Sequence, residues 1–180
     1  MKTGVILANG FEEVEAVGVI DILRRGEIDV NIISIEDSLD VSGAHNVKIT
    51  CDSKFDNVNF NDLDMIILPG GAGGVNRIKD FKPILHILKE FNENNKYIAA
   101  ICAAPVVLEE AGILNQKEFT CYKGFEQYVA NGKYLAEKVV QDGNIITSNC
   151  VGSVFDFGFK LVNLLKGEKI SKDLHNKMIM

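Results

Sequence analysis

The sequence predicts an α/β fold, a mostly parallel central sheet with helices on both faces and one inserted hairpin. Three observations lead there. Apolar runs alternate with helical patterns from the first residue to about Leu165, the pattern of strand–helix crossovers. Two runs, Met65-Ile66-Ile67-Leu68 and Tyr97-Ile98-Ala99-Ala100-Ile101, lack polar alternation, as strands covered on both faces must. Composition is that of a globular domain: 47% hydrophobic and 24% charged in 180 residues, so one domain over residues 1–180 is expected.

Taken in order, Thr3–Ala8 reads as a strand and Glu12–Arg25 as a helix ended near Gly26. Ile28–Ile35 alternates as a second strand. Val41–Cys51 carries Ser42-Gly43-Ala44-His45-Asn46 between short β-like pieces, which suggests a hairpin inserted before the next crossover. Leu63–Pro69 is a buried strand that stops at a sharp turn through Gly70-Gly71-Ala72-Gly73-Gly74. Lys82–Asn94 is an amphipathic helix packed through Ile84, Leu85, Ile87, Leu88 and Phe91, with His86 on its wet face. Tyr97–Ile101 is a strand, and Pro105 to Ala111 a helix stopped at Gly112. Phe119–Ser148 gives short strands, including a hairpin around Asp142-Gly143. Val151–Leu165 is a helix with Phe155, Phe159 and Val162 on one face.

Several classes of function are excluded or disfavoured. The formal charge of −6 offers no basic field for nucleic acid or anionic lipid. The most apolar stretch, Tyr97–Leu108, is interrupted by Pro105 and is shorter than the roughly 18 residues a membrane span needs. Cys51, Cys102, Cys121 and Cys150 form no CxxC or zinc-like spacing, so reduced thiols in the cytoplasm are expected. No phosphate-binding glycine motif is complete.

Cys102 falls where a buried strand breaks into a helix, a geometry that lifts a side chain off the carboxyl end of a sheet. A helix N-terminus there favours thiolate, so a depressed pKa and nucleophilicity are expected; a small buried hydrophobe is the alternative. Glu15 shares a helix face with Val19 and Ile22, so desolvation should raise its pKa and suit it to move protons near neutral pH. Its alternative role, complementing the helix dipole, is better filled by Glu12 and Glu13. Gly70 and Gly71 let backbone N–H groups approach a ligand, as an oxyanion site requires, or serve simply as turn glycines. Cys150 precedes a helix and is a lesser candidate thiol.

Three segments in this order, Glu12-Glu13-Val14-Glu15-Ala16, Ile67-Leu68-Pro69-Gly70-Gly71 and Ala99-Ala100-Ile101-Cys102-Ala103-Ala104-Pro105, resemble the ThiJ/PfpI superfamily. More narrowly, they are similar to its branch containing the parkinsonism-associated protein deglycase. The resemblance runs from about Lys2 to Gly167. It implies a flavodoxin-like sandwich, usually a homodimer, with Cys102 at a nucleophile elbow hydrogen-bonded to Glu15 and an anion pocket from the N–H groups of Gly71 and Ala103. The protease-like branch has His after the cysteine; Ala103 stands there, so peptidase activity lacks its base. Where some members bring a histidine from a later loop, this chain offers Tyr122, which leaves proton transfer mainly to Glu15. An arginine often used near the dimer interface is replaced by His45, while Arg25 is retained. The implied activity is of the glyoxalase III or deglycase type on a small aldehyde or ketoaldehyde, with no metal or organic cofactor. The rival is a redox sensor or stress-linked binding protein in which Cys102 is oxidised to sulfinate.

Overall fold

Successive residues of the central strands face opposite sides of one sheet, and both sides are dry. The computed structural model describes residues 1–179. The first crossover is β1 (Lys2–Leu7), α1 (Glu13–Arg25) and β2 (Asp29–Ser34); the hairpin β3 (Asp40–Ser42) and β4 (Lys48–Thr50) and the edge strand β5 (Ser53–Lys54) follow. Then come β6 (Met65–Leu68), α2 (Ala72–Asp80), α3 (Lys82–Glu93), β7 (Tyr97–Ile101) and α4 (Pro105–Glu110). The last third holds β8 (Glu118–Phe119), β9 (Lys133–Tyr134), β10 (Val139–Asp142), β11 (Ile145–Ser148), α5 (Val154–Lys166) and α6 (Glu168–Ile179). The main sheet runs β10-β11-β7-β6-β1-β2-β5. Its pairs are parallel except β10 with β11.

Ile6, Ile66, Leu68, Ile98 and Ala100 pack under α2, α3 and α4, with Val75, Ile84, Leu88 and Val107. Val5, Met65, Ile67, Ala99 and Ile101 pack under α1, α5 and α6, with Val19, Leu23, Phe157, Val162 and Leu174. Two covered faces explain the unbroken apolar runs. The α/β class, mostly parallel sheet and inserted hairpin are therefore as the sequence predicts.

Three features differ from expectation. The glycines after Pro69 do not simply turn the chain; they open α2. Gly73 and Gly74 are poor helix formers, by about 1 kcal/mol each, yet a side chain at Gly74 would press to 2.9 Å from the Phe11 nitrogen, so close packing outweighs propensity. A further helix, α6, follows α5 beyond the elements expected from the sequence. Finally Phe155 is about half exposed although Phe159 and Val162 are buried. Phe155 shares their stripe, 6.3 Å from the Phe159 ring, but α6 covers only Phe159, through His175 at 4.9 Å. No helix among the described residues is long and apolar enough to cross a membrane.

Candidate active site

Connections leave β1 toward β2 on one side and reach β6 and β7 on the other, so the strand order reverses beside β1. A crevice at such a reversal is where open α/β sheets place ligands. Cys102, Gly70 and Glu15 meet there, from the ends of β7 and β6 and from the helix after β1.

Cys102 directly follows β7 and has φ +64°, a left-handed conformation that costs a non-glycine residue roughly 1–2 kcal/mol. Flanking bonds enforce it: its N–H donates to the Ser148 carbonyl at 2.9 Å, and its carbonyl accepts from the Tyr122 N–H at 2.8 Å. Pro105 then starts α4, where a missing N–H costs nothing. The partly buried thiol touches both core layers.

Glu15 is 1% exposed. Its Oε2 accepts the Gly70 N–H at 2.8 Å, and its carboxyl is a hydrogen-bond partner of the Cys102 thiol. Only glycine fits at 70: a methyl group would meet Glu15 Oε2 and lie 2.6 Å from Cys102 Cβ. Gly71, at φ +91°, opens α2, and a methyl group there would strike the Gly10 carbonyl and approach the Glu12 nitrogen to 2.6 Å. The N–H groups of Ala103 and Gly71 point at the thiol and favour its anion.

Burial pushes the Glu15 carboxyl up to about 7, the Glu12 charge adding to it while the bonds from Cys102 and Gly70 oppose it. The thiol departs from the expected depressed pKa. Burial first and the neighbouring Glu15 carboxylate second push Cys102 up to about 12, against the weaker pull of the two N–H groups. Two anions cannot share this dry contact, so thiol and carboxyl titrate as one coupled pair. A helix N-terminus alone would lower the thiol pKa; burial and the carboxylate beside it reverse the sign.

Tyr122 reaches Cys102 through its backbone alone; its side chain is 49% exposed and stacks edge-to-face with Phe125. Among the described residues its phenol makes no hydrogen bond to thiol or carboxyl. Glu13 is a second correction. Rather than simply facing the helix dipole, it is buried and binds the hairpin tip, accepting from the His45 N–H at 2.5 Å, contacting His45 Nδ1 at 2.8 Å and accepting from Val47 at 3.4 Å. Glu12 caps α1 by accepting the Glu15 N–H at 2.6 Å. These two carboxylates and His45 lie close enough together to suggest a metal site, but cap and hairpin bonds already account for them. Arg25 pairs with Asp21 on the surface. Cys51 and Cys121 are buried, and Cys150, like Cys102, is partly exposed. The anchoring carbonyl of Ser148 had no sequence signal, because any residue supplies one.

The chain matches the DJ-1/PfpI family over residues 1–164. It is 34% identical over 164 residues to Protein DJ-1 homolog B of Arabidopsis thaliana, covering 91% of this chain and 37% of that one. The chain thus spans well under half of that relative's length. It is 30% identical over 168 residues to Deglycase PfpI of Pyrococcus furiosus, covering 92% of this chain and all of the relative. The crystal structure of Drosophila melanogaster DJ-1beta superposes with a TM-score of 0.96 at 32% identity, over 99% of this chain and 97% of that one. A sheet of this order, with a cysteine in a left-handed turn against a buried glutamate and a family match over nine-tenths of its length, identifies the chain as a member of the DJ-1/PfpI family.

Proposed function

We propose that this protein is a cysteine-dependent, cofactor-independent enzyme that converts a small α-ketoaldehyde and water to a 2-hydroxy acid, a glyoxalase III type of reaction. The observation that carries the reading is Glu15: a carboxyl held near neutral pKa by burial, against a nucleophilic sulfur and beside two N–H groups. The name of the Pyrococcus furiosus relative, a deglycase, supports a carbonyl substrate, and a related cycle would remove early glycation adducts.

The thiol adds to the aldehyde carbon as its proton passes to the Glu15 carboxylate, and the N–H groups of Gly71 and Ala103 hold the developing oxyanion. Glu15 returns that proton to the oxygen, giving a hemithioacetal. It then takes the hydrogen of the former aldehyde carbon as a proton and delivers it to the adjacent keto carbon, while the hemithioacetal hydroxyl proton passes to the former keto oxygen. The first carbon is oxidised to a thioester and the second reduced to an alcohol, so no external oxidant is required. Water cleaves the thioester, releasing the acid and restoring the thiol. The homodimer reading is supported by Val14 and Val17 on α1 and Phe155 on α5, each about half exposed, apolar surface that a partner copy would cover.

Turnover of methylglyoxal by the purified protein, with metal removed and thiol absent, tests the reading. Activity lost in both Cys102→Ser and Glu15→Gln supports it. Selective oxidation of Cys102 with no turnover would favour the redox sensor.

A further inference from the structure

A groove of about 450 Å³ lies between α2 and α4, within the size range of small-molecule sites. Two of its lining residues follow closely in the chain on residues of the candidate site. Ala72 follows Gly71 directly, and Val106 lies one turn after Ala103, the two residues whose N–H groups face the thiol. Val75 continues the apolar wall, and Phe125 and Tyr128 close the groove.

The closing segment is unusual for a protein surface. Tyr122, Phe125 and Tyr128 form a ladder of edge-to-face rings, with centroids 6.2 and 5.8 Å apart, and Tyr122 and Tyr128 are 49% and 60% exposed. Edge-to-face pairing leaves ring faces free for another apolar group. The ladder is tied to the reactive turn by the bond from the Tyr122 N–H to the Cys102 carbonyl.

The two carboxylates at the rim have other partners, while Lys79, on the α2 side, makes no ion pair among the described residues. Glu109 accepts from the Ala130 and Asn131 N–H groups and from the Asn131 side chain, and Glu110 pairs with Lys82. Apart from Lys79 at the rim, what the groove offers is the apolar wall and the free ring faces, which suit a flat apolar group.

We infer that this groove is a subsite for the aryl substituent of an α-ketoaldehyde whose aldehyde carbon is presented to Cys102. The inference deepens the proposed function and, for its substrate, rests on it. Burying a phenyl ring in place of a methyl group should favour the aryl substrate about tenfold or more.

Two measurements separate this inference from the parent reading. The first is the ratio of kcat/KM for phenylglyoxal to that for methylglyoxal, in the native protein, in Tyr128→Ala and in Asn76→Trp, which fills the groove from an exposed position on α2. The second needs no turnover: binding of the corresponding products, mandelate and lactate, followed by NMR. The expected result is about tenfold tighter binding of mandelate, with shifts at Val75, Val106 and Tyr128, and a substrate ratio that falls about tenfold in both variants. Methylglyoxal turnover with equal binding of the two acids and a ratio unmoved by either variant would overturn the subsite and leave the enzyme. Preferential, Tyr128-dependent mandelate binding without turnover of either ketoaldehyde would sustain the groove and reject the enzyme reading. Absence of both turnover and binding preference would sink both.

Discussion

The Gly70 N–H and Glu15 Oε2 are 2.8 Å apart, and this bond joins the end of β6 to a carboxyl on α1 that faces the Cys102 thiol. Either group misplaced would change the other's chemistry, because the carboxylate charge is the second largest cause of the raised thiol pKa. In Glu15→Gln that charge is gone. We expect the pH midpoint for alkylation of Cys102 by iodoacetamide to move down, even as methylglyoxal turnover falls by roughly 10²–10⁴ from loss of the proton shuttle. An unchanged midpoint would separate the two groups electrostatically.

The same carboxyl should destabilise the fold at neutral pH. Its pKa rises from 4.5 to about 7 on burial. Stability is therefore full below 4.5, where folded and unfolded forms are both protonated, and is lost as pH rises toward 7, where only the unfolded form ionises freely. The loss is about 3 kcal/mol. Glu15→Gln should raise Tm at pH 8 by several degrees, at roughly 2–4 °C per kcal/mol, and much less at pH 4.5. An equal gain at both pH values would mean that ionisation is not the cause. A buried carboxyl that costs stability is what the proposed proton shuttle would trade for activity.

Glu13 and His45 should make the hairpin tip sensitive to pH. Burial works to raise the Glu13 pKa, but the bonds from His45 and Val47 outweigh it, and the net change is downward; the Glu13 bond and charge raise that of His45. The pair is strongest between the two values. Its contribution is lost as pH falls through the lowered Glu13 pKa, and again as pH rises through the raised His45 pKa. Hydrogen exchange at the His45 and Val47 amides should report this, with Glu13→Gln exchanging about tenfold faster at pH 6 for the loss of a charge-assisted bond. Equal rates would reduce the contact to a packing accident.

Mild peroxide should modify Cys102 first, Cys150 second, and Cys51 and Cys121 last. The first two are partly exposed and the others buried, and only Cys102 has two N–H groups favouring its anion. Burial pushes Cys51 and Cys121 up to about 12, as burial and Glu15 do Cys102, so access separates Cys102 from these two. Peptide mass spectrometry after limited oxidation reads the order directly. Modification of Cys150 ahead of Cys102 would show that access outweighs the two N–H groups.

The sequence by itself determined the main strands, the cover of helices on both faces of the sheet and the candidate pair Cys102 and Glu15, because these rest on local or periodic signals: unbroken apolar runs, a carboxylate on a greasy helix face, and a cysteine between strand and proline. What lay beyond it depended on contacts between distant segments. The helix opening at Ala72 exists because Gly73 and Gly74 pack against the turn at Gly10 and Phe11, which overrides their low propensity. Glu13 turned from a dipole partner into a hairpin anchor once β3 and β4 folded over α1. The thiol pKa reversed direction because burial and a carboxylate from 87 positions earlier in the chain outweigh two nearby N–H groups. Periodicity shows which side of an element is buried; only tertiary structure decides which charge is buried beside it, and charge interactions in a dry site depend steeply on that distance.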